Sequence, residues 1–179
     1  MGISAPAQEP WANEQATRPG LSWGVKSSFT RYIDTMPDGR RGAGHGATEA
    51  GDGVYFFELE DASGFDPSSP EGIVKYRGDL RYKGHQGMLF VMIVDPWIEF
   101  RDTGAVLTAV DAERWPNKEH RIELATLAPG APAAGRLPRG WALMDARLTP
   151  AGVEVFNGVY GVGERLEPVG FCAHLKSGG

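Results

Sequence analysis

Two side chains in this sequence have types and settings that can do chemistry together. Tyr32 stands near the end of LSWGVKSSFTRYI (21–33), and His85 lies in YKGHQG (82–87), flanked by Gly84 and Gly87. A phenolate is a hard anionic oxygen donor suited to ferric iron, and tyrosine is an accepted axial ligand of haem iron. A free tyrosine is mostly protonated at neutral pH, so binding as phenolate needs both the iron's charge and a hydrogen-bond donor. A histidine can be that donor, fixing the ligand's orientation and tuning its basicity. The same two groups in one pocket can instead act as general acid and base on a small apolar molecule, in an isomerisation, cyclisation or C–C cleavage. Such an enzyme would want a carboxylate to orient the histidine, for which Asp79, Asp95 and Glu99 are the candidates. Each residue also has an ordinary use, Tyr32 as a core aromatic whose hydroxyl meets a carbonyl and His85 as a turn residue.

The elements that must position this pair follow from the surrounding pattern. Ser22 is a plausible N-cap for a three-turn helix. Val25, Phe29, Tyr32 and Ile33 then fall at i, i+4, i+7 and i+8, one face of a 3.6-residue period. On that reading Tyr32 points toward the body of the protein. Residues 34–53 are rich in Gly, Asp, Arg and Thr and suit a long loop or irregular edge hairpin, with His45 a solvent-exposed loop residue.

Strand signals then crowd together. VYFFELE (54–60) comes first, followed by GIVKYRGDLRYKG (72–84), which alternates with Val74, Tyr76, Gly78, Leu80 and Tyr82 on one face. MLFVMIVD (88–95) is a continuous apolar run that reads as a strand covered on both faces. Pro96 interrupts the pairing and WIEF (97–100) resumes it. AVLTAV (105–110), HRIELAT (120–126), WALMDARLT (141–149), VEVFNGVY (153–160) and VGFCAHL (169–175) complete the set, with an Ala-, Pro- and Gly-rich linker at 127–140. So many strand candidates beside one helix predict a mainly β fold, an antiparallel β-sandwich or open barrel.

Composition narrows the function. The chain has 179 residues, enough for one domain with a real core. Its 25 Gly and 13 Pro fall mostly between short apolar runs, which favours many turns and strands. The net charge of −5 and the absence of a basic run argue against nucleic acid as a partner. The single Cys172 excludes an internal disulfide framework and reads as a small buried residue of the last strand. The four histidines show no HxH or HExxH spacing. No apolar leader and no membrane-length apolar run are present, so the expectation is a cytoplasmic protein, or one of the cell envelope if a signal and anchor lie outside this sequence. Trp97, Trp115 and Trp141 could form a partner-binding patch, although Trp in a β-rich domain usually serves the core or its rim.

Three blocks carry a likeness: the opening WGVKSSFTRYI, the central GDLRYKGHQGML with DPWIEF after it, and the closing VFNGVYGVGERLEPVGF. In this order they resemble the HtaA domain, the haem-binding module of actinobacterial haem-uptake proteins, over roughly residues 21–175. Residues 1–20 then form a polar extension and 176–179 a tail. The resemblance implies a two-sheet antiparallel β-sandwich with one or two short helices. It also implies ferric haem b as ligand, held by Tyr32 as axial ligand to the iron with His85 as the hydrogen-bonding partner. Phe29 and an aromatic of the C-terminal region would line the pocket; Phe171 is the first choice, with Phe156 and Tyr160 competing. Met88, Phe90 and Met92 are further walls, and Lys26, Arg31 and Lys83 are candidate cations for the propionates. Haem capture, transfer or buffering is the function implied. The residues alone leave open an enzyme acting on an apolar metabolite in the same pocket.

Overall fold

The computed structural model describes residues 18–69, 71–130 and 140–174. Among the described residues there are twelve strands, two short α-helices and two single 3-10 turns at His85–Gly87 and Ala112–Arg114. In order the strands and α-helices are β1 (Gly20–Trp23), α1 (Ser27–Thr35), β2 (Arg40–Gly44), β3 (Ala47–Gly51), β4 (Val54–Asp61), β5 (Gly72–Arg77), β6 (Asp79–Gly84) and β7 (Leu89–Val94). They continue as β8 (Trp97–Arg101), β9 (Gly104–Val110), β10 (Arg121–Pro129), β11 (Ala142–Leu148), α2 (Pro150–Val155) and β12 (Val169–Cys172). The mainly β class is as expected. The layout differs from a two-sheet sandwich. Strands β1-β12-β11-β10-β9-β8-β5-β4 pair in sequence, and β1 pairs back onto β4, closing an eight-stranded ring. Strand β3 extends the sheet from β4, and β2-β6-β7 form a separate three-stranded sheet.

The strand that closes the ring is the one read from sequence as the start of a helix. Leu21 and Trp23 lie at i and i+2, which share a face of a strand but sit on opposite sides of a helix, and both are buried. Tertiary pairing decides for strand: Gly20–Trp23 matches Val169–Cys172 on one side and Tyr55–Glu58 on the other. All four residues are buried in the strand, and α1 starts only at Ser27 with Lys26 in the N-cap position, so Ser22 is no helix cap. A side chain at position 20 would run into the Phe56 ring and the Phe57 carbonyl. Closing the ring removes two sheet edges that would otherwise show unpaired amides.

Two further expectations change. The alternating run 72–84 is not one strand, although Val74, Tyr76, Gly78, Leu80 and Tyr82 are all buried as the alternation requires. It breaks at Gly78, whose φ of +139° suits glycine. Strand β5 therefore stays in the barrel while β6 enters the small sheet. VEVFNGVY is not a strand either. Thr149 Oγ1 accepts from the Gly152 N–H at 2.9 Å, Pro150 occupies the first turn, and α2 runs to Val155 before a turn at Phe156–Gly158. The capping signal Thr-Pro outweighs the apolar alternation of so short a run. Residues 34–53 are neither a long loop nor a hairpin: β2 and β3 flank the His45-Gly46 turn but pair with β6 and β4 in different sheets, while Cys172 is buried in β12 as expected. Positions 131–139 of the expected linker lie outside the described residues.

One apolar cluster fills the barrel and the space under the small sheet. It joins Trp23, Tyr55, Phe57 and Tyr76 of the barrel to Leu80, Tyr82, Val91 and Ile93 of the small sheet, with Phe29 and Ile33 of α1 and Phe156 after α2. No helix among the described residues is long and apolar enough to cross a membrane.

Candidate tyrosine–histidine site

Helix α1 begins at Ser27, later than the apolar period suggests, and buries Phe29, Thr30 and Ile33. Val25 is buried but precedes the helix, so it does not set the helical face. At about 100° per residue, Tyr32 lies roughly a third of a turn from the middle of the buried face. It is 48% exposed, which corrects the expectation that it points inward. The outcome suits a ligand better than a core position would, since the phenol oxygen is reachable from solvent.

Its partner comes from the end of the small sheet at which α1 leads into β2, where Arg40 pairs with Lys83. Strand β6 ends at Gly84, and the chain turns through His85, Gln86 and Gly87 with φ of +50°, +57° and +87°. Two of these are non-glycine residues in the left-handed region, a costly run that needs an external hold. The hold is Asp38, whose Oδ2 accepts the Gln86 N–H at 2.7 Å, while the Met88 N–H returns to the His85 carbonyl at 3.1 Å. The Gln86 amide keeps the Asp38 carboxyl below its ordinary range. Met36, just past α1, lies over Gly84, its Sδ 2.7 Å from where a side chain at position 84 would begin.

This turn brings His85 Nε2 to 2.6 Å from Tyr32 Oη, with the rings 5.9 Å apart and tilted by 52°. The contact fixes what the pair can do. A neutral phenol donates to an unprotonated Nε2. A phenolate accepts from an Nε2–H. The imidazole can thus serve either state of the tyrosine by changing tautomer. Asp79 is committed to His45 Nδ1 at 2.9 Å and to Arg81, Asp95 to the Gly78 N–H and Lys118, and Glu99 to Arg101. None of the three carboxylates considered for orienting the histidine meets the His85 ring.

One guanidinium ties the helix to both sheets. Arg41 of β2 donates to Asp34 Oδ1 at 2.7 Å and Oδ2 at 3.1 Å, to Glu49 Oε1 at 2.8 Å and to Tyr55 Oη at 2.7 Å. These bonds lower the Asp34 carboxyl and raise the Arg41 guanidinium, Asp34 being the largest cause for the latter. Burial raises the Tyr55 hydroxyl.

The remaining candidates are spread out. Phe29 is buried against Tyr82 and Phe156, at ring separations of 5.1 and 5.4 Å. Phe171 packs on Phe100 at 5.7 Å, a different part of the core. Phe156 reaches α1 through Phe29, and Tyr160 stacks edge-on against Phe156 at 5.8 Å. Met88 is 88% exposed and Phe90 is exposed, whereas Met92 is buried. Phe90 and Met92 line a cavity of about 400 Å³ between the small sheet and α2 that contains neither Tyr32 nor His85. Lys26 is engaged with Glu164 at 3.1 Å and with the Arg165 carbonyl, while Arg31 and Lys83 are exposed and make no ion pair among the described residues. Trp97 stacks under Arg121 at 3.7 Å, and Trp115 is partly exposed. Asp38 and Arg41 were not singled out from sequence. The Asp-Gly turn after α1 was the available signal for the first, while the second depends on how α1, β2, β3 and β4 pack, which side-chain periodicity does not encode.

The HtaA family model matches residues 19–172. Among solved structures, the C-terminal domain of HtaA from Corynebacterium glutamicum is 24% identical, with 89% of this chain and 97% of that chain covered and a TM-score of 0.67. The N-terminal domain of the same protein is 23% identical, covering 89% and 98%, with a TM-score of 0.63. The heme binding protein HtaB from Corynebacterium glutamicum is 18% identical, covering 87% and 91%, with a TM-score of 0.60. Among curated proteins no match is found. With most of its length matched by one family model, the chain belongs to the HtaA domain family.

Proposed function

We propose that this domain binds ferric haem b through Tyr32, with His85 as the hydrogen-bonding partner of the ligand oxygen. The observation behind this reading is the 2.6 Å contact between Tyr32 Oη and His85 Nε2 at a half-exposed position. Membership of the HtaA family supports it, as does likeness to a heme binding protein.

The donor set fits the group. Ferric haem supplies a Lewis-acidic iron that favours an anionic oxygen ligand. Tyr32 presents such an oxygen to solvent. His85 Nε2–H can donate to it once the phenol proton has left, which orients the ligand and tempers its basicity. Met88, exposed next to the His85 turn in sequence, offers apolar surface for a porphyrin, and Arg31 and Lys83 offer charge for its carboxylates. A ligand residue this open to water suits capture and hand-over, since a sealed site would slow release.

Titration of the protein with hemin tests the reading. A Soret band with the charge-transfer features of tyrosinate ligation is expected, lost or strongly shifted in Tyr32→Phe. His85→Ala should keep the band while binding about 10–100-fold more weakly. A wild-type protein with no spectral change at micromolar hemin, or a Tyr32→Phe variant with the same spectrum, overturns it.

A further inference from the structure

We infer that Asp38 is a positioning residue for the tyrosine–histidine pair, its carboxylate holding the left-handed turn that aims His85 Nε2 at Tyr32 Oη. Its consequence for ligand binding rests on the haem reading above; the geometry itself does not.

The turn has little else to fix it. His85, Gln86, Gly87 and Met88 are all exposed, and two successive non-glycine residues adopt positive φ. Successive amides in such a conformation point to one side and make a concave site for an anion. Asp38 fills that site, its Oδ2 taking the Gln86 N–H at 2.7 Å. Among the described residues no other side chain bonds these amides.

Asp38 is itself fixed by the segment that carries Tyr32. Helix α1 ends at Thr35, the Met36 N–H returns to the Ile33 carbonyl at 3.2 Å, and the Gly39 N–H returns to the Met36 carbonyl at 3.1 Å. Glycine at 39 is required because a side chain there would collide with the Ile33 carbonyl. Met36 then lies over Gly84. Residues 32–38 therefore deliver the ligand oxygen directly and its partner through the Asp38 carboxylate. The separation between the two is set by one short stretch of chain.

The test compares Asp38→Ala, Asp38→Asn and His85→Ala by hemin dissociation rate and by the histidine-ring NMR signals of the haem-free protein. Asp38→Ala is expected to keep the Soret band, release hemin roughly three- to tenfold faster, and shift the His85 ring signals. Asparagine, which keeps an acceptor oxygen without the charge, should fall between alanine and wild type. In the Asp38→Ala/His85→Ala double variant the Asp38 effect should vanish, because it acts through the histidine. An undiminished Asp38 effect without His85, or unchanged ring signals, overturns the inference. If Asp38→Ala does not fold, Asp38→Asn decides by the same comparisons. If the wild type binds no hemin, the haem reading fails, and the ring signals of the haem-free protein still decide the role of Asp38.

Discussion

Replacing Arg41 by Met should destabilise the domain by about 2–3 kcal/mol at neutral pH. The largest part comes from Tyr55. Its hydroxyl lies in a buried residue and accepts from Arg41 at 2.7 Å, and an orphaned buried polar group costs about 1–3 kcal/mol. The two carboxylates contribute less. The side chains of Asp34 and Glu49 are 48% and 42% exposed, so both rehydrate when the guanidinium goes, and exposed pairs are worth about 0.2–1 kcal/mol each. The methionine stem keeps most of the apolar packing, so no cavity is added. The assay is urea unfolding followed by tryptophan fluorescence, read as a fall in midpoint at constant slope. In a scan the same loss is a drop of roughly 5–10 °C.

Acid gives this prediction its sign. The Asp34 carboxyl is lowered from 3.8 in the folded protein, chiefly by its bond to Arg41. Its contribution is therefore complete above the unfolded value of 3.8 and fades as pH falls through the lower folded value. The gap between wild type and Arg41→Met should narrow below about pH 4, leaving the Tyr55 part. A loss under about 0.5 kcal/mol at pH 7, or a gap that widens in acid, refutes the account of Arg41 as the tie between α1 and the strands.

Two other outcomes follow from the fold. Gly78→Ala should cost more than about 3 kcal/mol, or abolish folding, because positive φ and a clash with the Ala47 backbone act together where the chain passes from barrel to small sheet; circular dichroism and thermal unfolding check it, and near-wild-type stability would contradict the hinge. Cys172 is buried and its thiol is raised chiefly by burial, so a disulfide exchange reagent should modify it slowly in the native state and rapidly in urea; equal rates would place it at the surface.

The strands were legible where alternation or an apolar run had several residues to speak. The runs at 54–60, 72–84, 88–95, 97–100, 105–110, 120–126, 141–149 and 169–175 all fall on strands, and the buried face of 72–84 is right residue by residue. What failed was short or long-range. Gly20–Trp23 is four residues long, and its identity as a strand comes from partners about 35 and 150 positions away. The closed ring depends on that strand alone, which is why the sequence suggested a sandwich or open barrel. At 150–155 a helix cap overrode an apolar alternation of three residues.

The site was legible as a pair of residues and not as a geometry. Tyr32 was placed inward because Val25 was counted as a helical residue; starting the helix at Ser27 rotates the buried face onto Phe29, Thr30 and Ile33 and leaves Tyr32 at its edge. That shift changes the chemistry available. A buried tyrosine would need a closed pocket around the iron, whereas a half-exposed one takes its orientation from a single neighbour, His85, and through it from Asp38. The pair is thus held by backbone geometry near residues 36–39 and 84–87, where glycines permit close approach and a carboxylate steadies the turn. Apolar period and strand alternation carry no signal for such a device, because it depends on φ and on one hydrogen bond between segments about fifty residues apart.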